Sequence, residues 1–349
     1  MSFRHELAAH CESGVTAKLL SHAGFPLTEP RALGIGSGLF FLQLPMDQLA
    51  NAPSTSFRSK PGTIFTKVCK RLGARFEVQT YSNPKKAHDA LLRQVDAGQL
   101  VALQTSVYYL EYLPRRFRFP FNAHNIMVYG RKDGRWLVSD PVLDEAAECD
   151  DESLNRARFA AGLLAPKGKA YWVTQVPEAR PGVIEGAMQA GMRETGFFMG
   201  HSPIPFFGAK AIGYLARRAA AWPRRFAKEP QKALLLLANV VRMQEEIGTG
   251  GAGFRYLYAA FLQDVADTFG DAAYARLSER VTAIGDLWRK FAGAAARLFR
   301  GGKADEATFA PIVQMLRELE GLERALFRDL NAHVREGRKA LPAPSTQQA

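Results

Sequence analysis

Three residues far apart in the chain have the types that build a cysteine nucleophile. Cys11 follows His10 in "MSFRHELAAHCESG", directly before a stretch that reads as a helix; His124 opens the run "HNIMVYGRKDGRWLVSDP" and Asp140 stands near its end. A thiol needs a base to draw off its proton, and the base needs an acceptor that orients it. The thiolate is the reactive form, and a helix N-terminus lowers a thiol's pKa. Each residue also has a plainer reading: a buried thiol, a capping or surface His10, and a turn residue in Asp140 ahead of Pro141.

The elements around these residues decide whether they can meet. "ESGVTAKLLSHAG" spaces Val15, Leu19 and Leu20 on one face and ends at Gly24, which predicts a short amphipathic helix beginning beside Cys11. The second run is two strand-like segments joined by Lys132-Asp133-Gly134, a strong hairpin signal. Antiparallel pairing sets the two ends of a hairpin side by side, so His124 and Asp140 are expected to be neighbours.

The rest of the first half reads as mixed α/β. A helix is expected over "TIFTKVCKRLG", with Cys69 packed beside its apolar stripe, and another over "PKKAHDALLRQVDAGQ". Strands are expected in "GIGSGLFFLQL" after its glycines, in "RFEVQTY", "LVALQTSVYYL" and "KAYWVTQV". After "PEARPG" the pattern is helical, broken at "HSPIPFFG" and "GTGGAG". This gives a domain over 1–178, a helical domain over 183–338 and a loose tail over 339–349, with the boundary at 176–182 and no internal repeat.

Composition narrows the function. At 349 residues the chain is long enough for two domains or three, and 47% hydrophobic with 23% charged residues is an ordinary globular balance. A net charge of +12 is not ordinary; it suits an acidic partner, or is a plain solubility feature. Three irregularly spaced cysteines argue against a disulfide framework and a zinc site, and point to a reducing, cytoplasmic setting. The charged N-terminus lacks the apolar core of a signal peptide, and "KALLLLANVV" is too short to span a bilayer. Dispersed arginines without a recognisable motif argue against nucleic acid; "RRAAAWPRRFAKEPQK", the densest basic stretch, could instead dock an acidic protein or a membrane surface.

The order of the Cys-helix and then "AHNIMVYGRKDGRWLVSDP" resembles the papain-like fold of the cysteine peptidases that trim bacteriocin leaders. The chain is more similar still to the butirosin biosynthesis protein H family: a His-Cys pair before a helix (His10-Cys11), a "GIGSGLFF"-like segment (Gly34 to Phe41), and a helical C-terminal domain with a "GTGGAGFRYLYAAFL"-like segment (Thr249 to Leu262). The resemblance implies an α+β, papain-like N-terminal domain followed by an all-helical one. It implies an acyltransferase of specialised-metabolite biosynthesis, with Cys11 as nucleophile, His124 as base and Asp140 as orienter. Its donor would be an acyl carrier protein thioester, its acceptor a small-molecule amine, with no metal or other cofactor. A papain-like peptidase or amidase, and a non-catalytic binding module, remain alternatives. Papain-like enzymes often carry an oxyanion-donating Gln before the Cys; here His5 stands six positions before it and no Gln precedes it. The candidates for that role are the Cys11 N–H, His10 and the Gly36-Ser37-Gly38 segment. "GTGGAGFRYLY" either lets two helices pack closely or presents helix N–H groups to a phosphate, with Arg255 and Tyr256 as substrate-binding candidates.

Overall fold

The computed structural model describes residues 3–46, 54–247 and 249–340. Its first half runs α1 (Cys11–His22), α2 (Glu29–Ile35), β1 (Leu39–Gln43), β2 (Thr55–Arg58), α3 (Ile64–Leu72), β3 (Arg75–Gln79), α4 (Pro84–Asp96), β4 (Val101–Thr105), β5 (His124–Lys132), β6 (Arg135–Ser139), β7 (Ala147–Cys149), α5 (Asp151–Arg158) and β8 (Ala170–Gln175). The second half is helical: α6 (Pro181–Gly196), α7 (Ala209–Arg225), α8 (Pro230–Glu245), α9 (Arg255–Phe269), α10 (Ala272–Gly301) and α11 (Glu306–Ala340). The chain is thus α+β with a helical C-terminal portion. Residues 341–349 of the expected tail lie outside the described residues.

Six strands form one antiparallel sheet in the order β3-β8-β4-β5-β6-β7, and β1 and β2 pair separately. The hairpin of β5 and β6 turns at Asp133 and Gly134, both at positive φ (49° and 78°), as the tightest hairpin turn requires. One face of the sheet packs Ile126, Val128 and Val138 with Leu91 of α4 and Leu154 of α5. On the other face, Ala102, Met127, Tyr171 and Val173 join a core with α1, α2 and α3 that continues into the helical half. The two halves therefore share one core. Phe57 of β2 is packed edge-on against Trp288 of α10, 5.0 Å between ring centres, and Phe41 of β1 joins them. The helix with the cysteine lying against an antiparallel sheet that carries the histidine is the papain-like arrangement.

Several elements differ from the sequence reading. The helix α1 is not amphipathic: Glu12, Ser13 and Thr16 are buried along with Val15, Leu19 and Leu20, because neighbouring elements cover most of its surface. Strand β4 ends at Thr105 rather than continuing through "SVYYL". Ser106 N–H leaves the ladder for the Ala157 carbonyl and Val107 N–H for that of Phe121, so residues 107–109 form a 3₁₀ turn. The helices α2 and α5 and the strands β2 and β7 had no sequence expectation.

Candidate functional site

The site begins at the capped start of α1. His10 is extended, and its imidazole Nδ1 faces both Ser13 N–H (3.3 Å) and Ser13 Oγ (2.9 Å). The Glu29 carboxylate accepts from the backbone N–H groups of Ala9 (2.8 Å) and His10 (2.7 Å) and from the Ser13 hydroxyl (3.0 Å). Arg58 donates to His10 Nε2 at 2.7 Å. Burial and the charges of Arg58 and His124 hold the His10 pKa well below the usual histidine range, so the ring is neutral. Glu12, fully buried, pairs with Arg58 and accepts from the N–H groups of Gly62 (2.9 Å) and Ile64 (2.8 Å). It thereby caps α3, whose own N-cap Thr63 makes no capping bond with its side chain. These contacts fix α1, α2, β2 and α3 around the thiol.

The sheet supplies the rest. His124 pairs with Thr105 across β4 and β5, and its Nε2 lies 2.8 Å from Asp140 Oδ2. That oxygen also accepts from Tyr112 O–H at 2.9 Å, while Oδ1 accepts from Val142 N–H at 3.2 Å. Asp140 is thus both a turn residue and a partner of His124. With Nε2 engaged, Nδ1 is the ring nitrogen left for the thiol, and His124 is near enough to lower the pKa of Cys11. Asn125 Nδ2 lies 3.7 Å from Cys11 Sγ and donates to the Ala123 carbonyl at 3.1 Å.

The three cysteines respond differently to similar burial. Burial alone pushes the Cys11 thiol up, but the hydrogen bond from His124, the charges of His124 and Arg58 and the Asn125 N–H together bring it below its ordinary value. Cys69 and Cys149 are pushed up to about 12, both chiefly by burial. His124 is raised to about 10: burial opposes this, but the Asp140 charge and hydrogen bond and the Cys11 thiolate outweigh it. Both shifts favour a thiolate beside an imidazolium over the neutral pair.

Cys11, His124 and Asp140 are therefore brought together, with His10 beside them. The other candidates are not available as oxyanion donors. Both ring nitrogens of His10 are engaged, and His5 faces Ser139 Oγ (2.7 Å) and the Leu143 carbonyl (2.8 Å). The N–H groups of Gly36, Ser37 and Gly38 donate to the carbonyls of Ala32, Gly34 and Leu33, and Ser37 Oγ sits among Arg71, Glu194 and the Gly191 carbonyl. This segment serves packing: a Cβ on Gly34 would fall 2.2 Å from the Phe261 ring.

The second glycine-rich stretch is also a packing device. Residues 250–254 all have positive φ, Ala252 and Phe254 included. Gly250 lies against Ala9, where a Cβ would come within 2.9 Å of the alanine's, and the Phe254 ring meets His10 edge-on at 4.9 Å. The Ala252 N–H faces the Glu245 carboxylate, so a side chain of the protein stands where a phosphate would. Arg255 is buried, bound through two nitrogens to Glu323 and through Nη1 to the Gly253 carbonyl. Tyr256 donates to Asp286 at 2.8 Å. Among the described residues, no group of three or more His, Cys, Asp or Glu side chains could hold a metal ion, and no helix is long and apolar enough to cross a membrane.

Sequence reasoning missed Glu12, Glu29, Arg58, Tyr112 and Asn125. Only Glu12 and Asn125 had a signal, each being next in the chain to a candidate.

Comparison with known proteins gives two family matches. Residues 10–141 match the family described as "Butirosin biosynthesis protein H, N-terminal". Residues 152–330, just over half of the chain, match "Domain of unknown function (DUF4872)". The second match begins inside α5 and takes in β8, ahead of the boundary expected at 176–182. No curated protein matches the chain. Among solved structures, a C39-like peptidase from Bacillus anthracis is similar at 16% identity and a TM-score of 0.34, over 50% of this chain and 92% of the other.

Proposed function

The chain belongs to the butirosin biosynthesis protein H family, with the DUF4872 region as its C-terminal part, and on that premise we propose that this papain-like cysteine enzyme is an acyl-carrier-protein-dependent N-acyltransferase. Cys11 is the nucleophile, His124 the base and Asp140 the orienter. The donor is an acyl thioester on the phosphopantetheine arm of an acidic carrier protein, and the acceptor is a small-molecule amine of specialised-metabolite biosynthesis.

The Cys11 thiolate attacks the thioester carbonyl. The pantetheine C–S bond breaks, and the departing thiolate takes the proton of the His124 imidazolium. The amine then attacks the acyl-Cys11 carbonyl, and neutral His124 accepts the amine proton. The bond to Cys11 breaks, the amide leaves, and the thiolate–imidazolium pair is restored. Thioester to amide is downhill, so no ATP or cofactor is required. The oxyanion takes the Cys11 N–H, one of the first-turn N–H groups that lack an intrahelical acceptor.

The observation that carries this reading is the Cys11 thiol, held below its ordinary pKa although buried, beside a His124–Asp140 pair at 2.8 Å. The net charge of +12 supports an acidic partner.

Intact-mass measurement after mixing the protein with carrier proteins loaded with acyl chains of different length tests it. The expected result is an acyl adduct on Cys11 for a subset of chains, absent in Cys11→Ala and discharged by an amine. Discharge by water alone would make the protein a hydrolase. No adduct from any chain, with Cys11 labelled by iodoacetamide as slowly as the other cysteines, would make it a binding module.

A further inference from the structure

Asn125 follows His124 at the start of β5, two residues before Met127. It shares the α1-facing side with Met127, a member of the core that α1 also enters. Its amide is fixed at both ends. Oδ1 accepts from the Tyr171 hydroxyl at 3.0 Å, and Nδ2 donates to the Ala123 carbonyl at 3.1 Å. A flipped amide would set oxygen against the Ala123 carbonyl, so the orientation is determined. Nδ2 lies 3.7 Å from Cys11 Sγ, and the backbone N–H of Asn125 also faces that sulfur. Tyr171 is buried, its ring 4.6 Å from that of Phe65, so the residue that aims the amide is itself locked by packing.

We propose that Asn125 is a positioning residue for the Cys11 thiolate: its amide, aimed by Tyr171, donates to the sulfur anion and keeps it beside the His124 imidazolium until the acyl donor arrives. The proposal rests on Cys11 being the nucleophile. An amide hydrogen bond to a charged acceptor is stronger than one to a neutral acceptor, so losing it raises the thiol's pKa.

Iodoacetamide labelling of Cys11 as a function of pH, followed by peptide mass spectrometry, tests it in full-length Asn125→Ala and Tyr171→Phe. In Asn125→Ala the midpoint of the labelling curve is expected to rise by about one pH unit, a tenfold loss of thiolate below the midpoint. Tyr171→Phe keeps the ring and should move the midpoint the same way by less. It also carries the test if the alanine variant does not fold. A fast-labelling wild type with unmoved midpoints in the folded variants overturns this proposal alone. A wild-type Cys11 that labels as slowly as Cys69 overturns the nucleophile reading and this proposal with it.

Discussion

Cys11 and Cys69 are the same group in similarly buried places, 5% and 0% exposed, yet their thiols are pushed in opposite directions. Cys69 lies in the last turn of α3, between Val68 and Leu72, near the negative end of the helix. Burial there is opposed only by a backbone hydrogen bond, and the thiol rises to about 12. Cys11 is the first residue of α1, at the positive end, with His124 and Arg58 supplying charge. Exposure does not set the direction in which a thiol's pKa moves in this molecule; the charge and hydrogen bonds within reach of the sulfur do.

The largest expected effect separates the two thiols outright. Cys11→Ala should abolish acyl-adduct formation and turnover while leaving the thermal transition near wild type. Cys11→Ser should be nearly as inactive, because a hydroxyl at neutral pH forms far less of its anion. Cys69→Ala should do the reverse, keeping activity and costing about 1 kcal/mol of stability, the ordinary size for a small core truncation. Parallel turnover assays and thermal melts check both, and an active Cys11→Ala would end the comparison.

A smaller effect is expected at Asp140. Asp140→Asn keeps the size and an oxygen for the Val142 N–H but removes the charge that raises His124. Turnover should fall by about a hundredfold, less than for loss of the nucleophile. The pH dependence has a definite sign. A histidine raised from 6.5 to about 10 contributes stability that is full below 6.5 and lost as pH climbs towards 10. In Asp140→Asn that decline should flatten, and the Cys11 labelling curve should move to higher pH. Denaturant melts between pH 6 and about 10 measure the first change and alkylation the second; if neither curve differs from wild type, Asp140 only shapes the turn before Pro141.

The same contrast explains what could be read from the sequence. Cys11, His124 and Asp140 were legible because each has a local marker. One starts a helix, and the others lie near the two ends of a hairpin turned at Asp133-Gly134, although a bulge between Val128 and Gly130, which no sequence signal marked, shifts the register ahead of Asp140. Helix α2 carried an unused signal, Thr28 as N-cap with a proline in the first turn. Arg58 was not legible: it reaches Glu12 and His10 only because the end of β2 is carried within side-chain reach of the start of α1, which no spacing encodes. The oxyanion candidates failed for a related reason. Glycines mark where a backbone can turn, but whether their N–H groups remain free depends on the turn made, and in Gly36-Ser37-Gly38 all three donate to carbonyls just upstream.

Arg58 should give the smallest effect, and it tests whether charge as such sets Cys11 apart. Arg58→Met keeps much of the aliphatic stem and removes the cation, so the Cys11 labelling midpoint should rise by roughly half a pH unit, because the paired Glu12 already offsets much of the charge. The single variant also strands the Glu12 carboxylate in the core, and breaking one side of a buried pair costs about 3–5 kcal/mol. A lower melting temperature therefore says nothing about the thiol. The Arg58→Met/Glu12→Gln double variant separates the two effects. Its glutamine can still accept from one of the Gly62 and Ile64 N–H groups, so stability should partly return. The midpoint should return towards wild type as well, since cation and anion are then both gone. If the single variant leaves the midpoint unmoved, Arg58 holds the loop ahead of α3 and caps nothing electrostatically, and the difference between Cys11 and Cys69 reduces to His124, Asn125 and the start of α1.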